Sequence, residues 1–98
     1  MGEKTVMAPV HPGVILREEF LEPLRISEYR LAKAMHVPIT RVTEITHGRR
    51  SITADTGLRL SRLFRTSEGF WTSMQDDYDR AVAKDKIGDE LAEMSPVA

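Results

Sequence analysis

The amino-acid sequence predicts an all-α protein, a compact five-helix bundle. Three observations carry this reading. Apolar residues recur at spacings of three and four, no segment alternates apolar with polar as a strand does, and capping residues or prolines precede the periodic stretches. With 98 residues there is room for one hydrophobic core and not two. The expected organisation is a flexible arm over 1–10, a helical domain over 11–83 and a disordered tail over 84–98, where apolar residues thin out.

His11-Pro12-Gly13 opens the first helix, with proline in the first turn, where its missing N–H costs nothing. Leu16, Phe20 and Leu24 follow at i, i+4, i+8 with Ile15 and Leu21 beside them, and Pro23 is expected to end the helix near Leu21 or Glu22. Ser27 is a good N-cap for the second helix, Glu28 suits its positive end, and Leu31, Ala32 and Met35 form its inward stripe. The third runs from about Pro38 to Thr46 with Val42 and Ile45 inward and Gly48 as a left-handed terminator. That narrow apolar edge leaves a wide polar face free. Thr53 caps a fourth helix through Phe64 that buries Leu60, Phe64 and either Leu58 or Leu63, with Gly57 allowing close approach. Ser67 is expected to cap the fifth, where Phe70, Trp71, Met74 and Tyr78 form an aromatic stripe.

Composition removes several functional classes. There is no cysteine, so disulfides and thiolate metal sites are excluded, and His11, His36 and His47 show no ligand spacing. Asp76, Asp77 and Asp79 lack the glycine and distal glutamate of a calcium loop and read as a solvated acidic face. No metal or cofactor is expected. No run approaches the ~20 apolar residues of a membrane span, and no signal peptide is visible, so a soluble cytoplasmic protein is expected.

The net charge of −1 conceals a strong asymmetry. Residues 25–65 carry nine basic against three acidic side chains, or +6, whereas residues 1–24 sum to −2 and residues 66–98 to −5. A basic centre can meet a polyanion while the acidic ends meet a basic protein.

Two short helices joined by a tight turn, the second with a polar outer face and trailing arginines, form a helix-turn-helix. "SEYRLAKAMHVPITRVTEITHGRRSI", Ser27 to Ile52, resembles the helix-turn-helix of the Xre/lambda-repressor-like family. The wider frame, "HPGVILREEFLEPL" at 11–24, "RLAKAMHVPITRVTEITHGRRSITADTGLRLSRLF" at 30–64 and "TSEGFWTSMQDDYD" at 66–79, is similar to the HigA-type antitoxins. The resemblance covers roughly residues 9–80. In one respect the chain departs from it: His36 occupies the turn position where the family usually has glycine, and positive φ is expected there.

The resemblance implies that the second motif helix enters the DNA major groove. Ile39, Thr40, Arg41, Thr43, Glu44 and His47 would then read bases, with Arg41 suited to guanine O6/N7. Ser27 at the start of the second helix, Arg30, Arg49 and Arg50 would hold phosphates. Because one such motif binds weakly, a homodimer is expected, with Phe70, Trp71, Met74 and Tyr78 as the dimer element or, equally, as core. The implied function is that of an antitoxin. It would neutralise a HigB-like toxin, a small basic mRNA endonuclease acting on the ribosome, and repress its own operon by binding operator DNA.

Two readings compete: a stand-alone Xre-type repressor, and a protein-interaction module whose helix-turn-helix no longer binds DNA, suggested by His36, Glu28 and Glu44. Scattered acids and histidines do not make an enzyme.

Overall fold

A computed structural model describes residues 8–98, so residues 1–7 of the expected arm lie outside the described residues. Among the described residues there are five helices: α1 (12–24), α2 (Glu28–Met35), α3 (Ile39–Thr46), α4 (Ala54–Phe64) and α5 (Phe70–Glu93). Helix α1 packs on α3 and α5, α2 on α3 and α4, and α4 on α5. Leu16, Leu21, Leu31, Ala32, Met35, Val42, Ile45, Ile52, Leu60 and Trp71 form the core, flanked by Phe20, Ile26, Val37, Phe64 and Met74.

Helix α1 departs from the α-helical expectation. Its middle, Leu16–Leu21, is a π-helical turn in which the Glu22 N–H donates to the Arg17 carbonyl, five residues back. The extra residue in the turn changes the helical phase. Leu16 and Leu21, five apart, are both buried, whereas Leu24 is 57% exposed. Pro23 does not end the helix at Leu21 or Glu22 but sits in its last turn, which runs to Leu24. A wider turn separates the proline ring from the carbonyl four residues back, with which it collides in a regular α-helix.

Four helices end on a residue with a left-handed backbone: Arg25 (φ 55°), His36 (φ 61°), Gly48 (φ 73°) and Arg65 (φ 58°). At the first three, paired hydrogen bonds close the end. For α2 these are Val37 N–H to Ala32 O at 3.1 Å and His36 N–H to Lys33 O at 3.2 Å. The orphan carbonyls of the last turn are satisfied without a glycine. The His36 turn is therefore intact, as its positive φ required.

The later elements bring three corrections. Leu58 and Leu63 are both exposed, at 47% and 39%, so α4 buries Leu60 and half-buries Phe64 without either of them. Ser67 does not cap α5 through its side chain; its carbonyl accepts the Phe70 N–H at 3.2 Å, and Gly69 holds the N-cap position. The helix then runs to Glu93, through a single non-helical residue at Ile87, where a disordered tail was expected from Lys84. Apolar residues do thin out there, and residues 81–93 are exposed. Thinning removes packing partners but not helix propensity, which Ala, Lys, Glu and Leu supply in this segment.

Trp71 is fully buried within the monomer, with ring centroids of Phe20, Phe70 and Phe64 at 4.9, 5.1 and 6.3 Å. It is therefore a core residue and not part of a dimer surface. The stripe it belongs to turns its centre inward against α1 and α4. Phe70, 37% exposed, and the half-buried Met74 and Tyr78 form its rim.

Candidate nucleic-acid interface

The third helix is held in place at its C-terminal end and along both flanks. At its C-terminus, Gly13 of α1 lies so close that a Cβ there would stand 1.7 Å from the Ile45 carbonyl oxygen. The His-Pro-Gly sequence makes that contact possible: the buried His11 accepts the Gly13 N–H on Nδ1 at 2.9 Å, Pro12 fills the first turn and Gly13 contributes no side chain. Arg17, one turn on, donates from Nη1 to the Thr46 carbonyl at 2.8 Å. An unpaired carbonyl at the negative end of α3 thereby gains a cationic partner.

Burial of Val42, Ile45 and Thr46 fixes which side of α3 looks outward. By helical rotation Thr40, Glu44 and His47 take the centre of the outer face, with Arg41 on one flank and Thr43 on the other. Ile39 stands at the N-terminal end, 44% exposed.

The flanks are occupied by neighbours. Glu28 of α2 accepts hydrogen bonds from the hydroxyls of Thr43 at 2.9 Å and Thr46 at 2.6 Å, bracing the two motif helices across their turn. The Thr43 hydroxyl is therefore taken up by Glu28. On the other flank, Arg41 donates from Nη1 to Asp55 Oδ1 of α4 at 3.3 Å. Arg59 Nε donates to the same oxygen at 2.7 Å and Arg59 Nη1 to the Met35 carbonyl at 2.8 Å. The Arg59 hydrogen bond, together with the charges of Arg59 and Arg41, holds the Asp55 carboxyl below its usual range.

On the face itself, His47 Nδ1 lies 2.7 Å from the Thr43 carbonyl. A carbonyl only accepts, so Nδ1 carries the proton, and in the neutral imidazole Nε2 is left as an acceptor. Arg50 Nη1 is 3.5 Å from Glu44 Oε1, and Arg49 and Arg50 are both exposed just beyond Gly48. Ser27 Oγ accepts the Arg30 N–H at 3.0 Å, so Ser27 caps α2 as expected, with Arg30 exposed beside it. Thus Ile39, Thr40, Glu44 and His47 share one surface with Arg49 and Arg50, while Arg41 and Thr43 are shared with α4 and α2.

The contacts of four residues that matter here escaped the sequence reading. Arg17, Glu28, Arg59 and Gln75 each join elements distant in sequence. Gln75 of α5 is buried, accepts the Ile52 N–H at 2.8 Å and donates to Asp79 at 3.0 Å, fixing the segment that carries the two arginines.

A basic surface of this shape, built on an exposed helix of a helix-turn-helix, can be placed among known proteins. No family model matches the chain. It is 48% identical over 81 residues to virulence-associated protein I of Dichelobacter nodosus, covering 83% of this chain and 75% of that protein. An addiction module antidote protein of the HigA family from Coxiella burnetii is 46% identical, with a TM-score of 0.86 over 92% of this chain and 99% of that one. The chain belongs to the HigA antitoxin family. The Pseudomonas aeruginosa antitoxin HigA, solved with the higBA promoter, is 41% identical with a TM-score of 0.87, again over 92% and 99%. HigA membership fits the all-helical fold. Among the described residues no helix is long and apolar enough to cross a membrane.

Proposed function

We propose that this chain is the antitoxin of a type II toxin–antitoxin pair, which neutralises a HigB-like toxin and, as a dimer, represses its own operon by binding operator DNA. One observation carries the DNA-binding part: Thr40, Glu44 and His47 lie outward on a helix whose other three sides are held by α1, α2 and α4. This face has a fixed orientation, as base reading demands. Its chemistry suits base edges. The His47 Nε2 acceptor and the Glu44 carboxylate can take hydrogen bonds from the amino groups of adenine or cytosine, and Ile39, Thr40 and Thr43 offer methyl groups to thymine.

Arg49, Arg50, Arg30 and the Ser27 end of α2 are assigned to phosphates. The Glu44–Arg50 pair does not oppose this role. Exposed ion pairs contribute about 0–1 kcal/mol, so it exchanges readily for a phosphate partner. The dimer contact is placed on the rim left by Trp71: Phe70, and Met74 and Tyr78, which with Val10, Ile15 and Ala81 line a shallow apolar groove between α1 and α5. The acidic remainder of α5 is suited to a basic toxin.

The test is a mobility shift of the protein on the DNA upstream of its own gene, against random duplex, at two salt concentrations. Selective, salt-sensitive binding is expected, and Arg49→Ala should weaken both duplexes alike and reduce the salt slope by about one unit. No binding to either duplex, from a folded dimer, would leave the chain as a protein-interaction module.

A further inference from the structure

We propose that Asp55 is a specificity-determining positioning residue: it fixes the approach of Arg41 to the base edges without itself touching DNA. The inference rests on the DNA-binding reading above. Its basis is a continuous chain of contacts through all three helices of the motif region. The Met35 carbonyl at the end of α2 accepts from Arg59 Nη1, Arg59 Nε donates to Asp55 Oδ1, and that oxygen also accepts from Arg41 Nη1 on α3.

An isolated surface pair between two long side chains does little, because both must be immobilised to form it. Here the carboxylate is short, stands in the first turn of α4 and is already fixed by an arginine tied to the backbone of a third helix. Only Arg41 remains to be ordered. Arg41 lies on the flank of α3 and not at the centre of its outer face, so a side-chain partner must decide which way its guanidinium points. Bonding through Nη1 leaves the remaining N–H groups of the fork for a bidentate contact with guanine.

Charge alone predicts something different. Asp55 is an acidic side chain beside a basic surface, and its removal should strengthen binding to every DNA sequence. Positioning predicts that discrimination falls while non-selective binding holds or tightens.

The experiment measures affinities of the full-length protein for its own upstream DNA and for a scrambled duplex of equal composition. Wild type, Asp55→Asn, Arg41→Ala and the double variant are compared at one salt concentration, with thermal melting to establish folding. Asp55→Asn should lower the ratio of specific to scrambled affinity about fivefold or more, the lower bound for one well-placed bidentate contact. In the Arg41→Ala background the same change should leave the ratio unaltered. An unchanged ratio for Asp55→Asn, or a fall that persists without Arg41, overturns the proposal. Should Asp55→Asn not fold, Asp55→Ser, which keeps an acceptor but no charge, carries the same expectation. A ratio near one in the unmutated protein would instead overturn the operator-binding reading itself.

Discussion

Gly13 and Ile45 meet backbone to backbone: the α-carbon of one lies where any side chain would penetrate the carbonyl oxygen of the other. A Gly13→Ala substitution must push α1 off the end of α3 and take the Arg17–Thr46 hydrogen bond with it. The expected loss is about 3 kcal/mol, at the upper end for overpacking because rigid backbone is struck. Urea denaturation reads this as a lower midpoint at unchanged slope. A loss under ~1 kcal/mol would mean that the two helix ends separate at little cost.

The Glu28 brace makes a second expectation. Its carboxylate accepts from two hydroxyls, and Glu28→Ala leaves the buried Thr46 with only a longer bond to the Thr43 carbonyl at 3.2 Å. The cost should be about 2 kcal/mol, in the range for a hydrogen bond to a charged group, and Glu28→Gln, which keeps one acceptor, should lose about half of that. Equal losses for both variants would show that charge and not hydrogen bonding matters there.

His36 is strained by its left-handed backbone, and glycine is not. His36→Gly should therefore stabilise the protein by about 0.5–1 kcal/mol, whereas Gly48→Ala, at the equivalent place after α3, should destabilise it by about 1 kcal/mol. Chemical denaturation of both variants compares the two turns directly. A destabilised His36→Gly would mean that the imidazole makes a contact worth more than the backbone strain.

Acid should weaken the α1 cap. Burial of His11 lowers its pKa below the usual 6.5, while Asp79 acts in the opposite direction, and the Tyr78 ring packs edge-on at 5.0 Å. The folded protein holds this histidine neutral because protonated Nδ1 cannot accept the Gly13 N–H. The unfolded chain binds the proton more readily, so this contribution is complete above 6.5 and is lost as the pH falls through the lower folded value. Melting temperature followed from neutral pH downward should show the decline, and His11→Gln should reduce it.

Much of this fold was legible because its signals are local. Ser27 and Thr53 announce helix starts, Gly48 an end, and the Leu31-Ala32-Met35 and Val42-Ile45 stripes are buried as their spacing requires. The π turn was hidden because Leu16, Phe20 and Leu24 fit a regular helix, and only tertiary packing decides that Leu21 turns inward in place of Leu24. Trp71 was ambiguous for a related reason: an aromatic stripe shows that a face is apolar, not what covers it. The outer face of α3 could be placed from Val42 and Ile45, but its flanks could not. Glu28, Asp55 and Arg59 look like ordinary surface charges until the helices bring them together.

The Gln75 side chain gives the Ile52 amide proton a particular meaning. That proton is bonded to no group of its own loop but to a side chain on α5, so it exchanges with solvent when α5 lifts away. Its exchange rate is a built-in gauge at the foot of the arginine segment, reporting there whether a helix far along the sequence is docked.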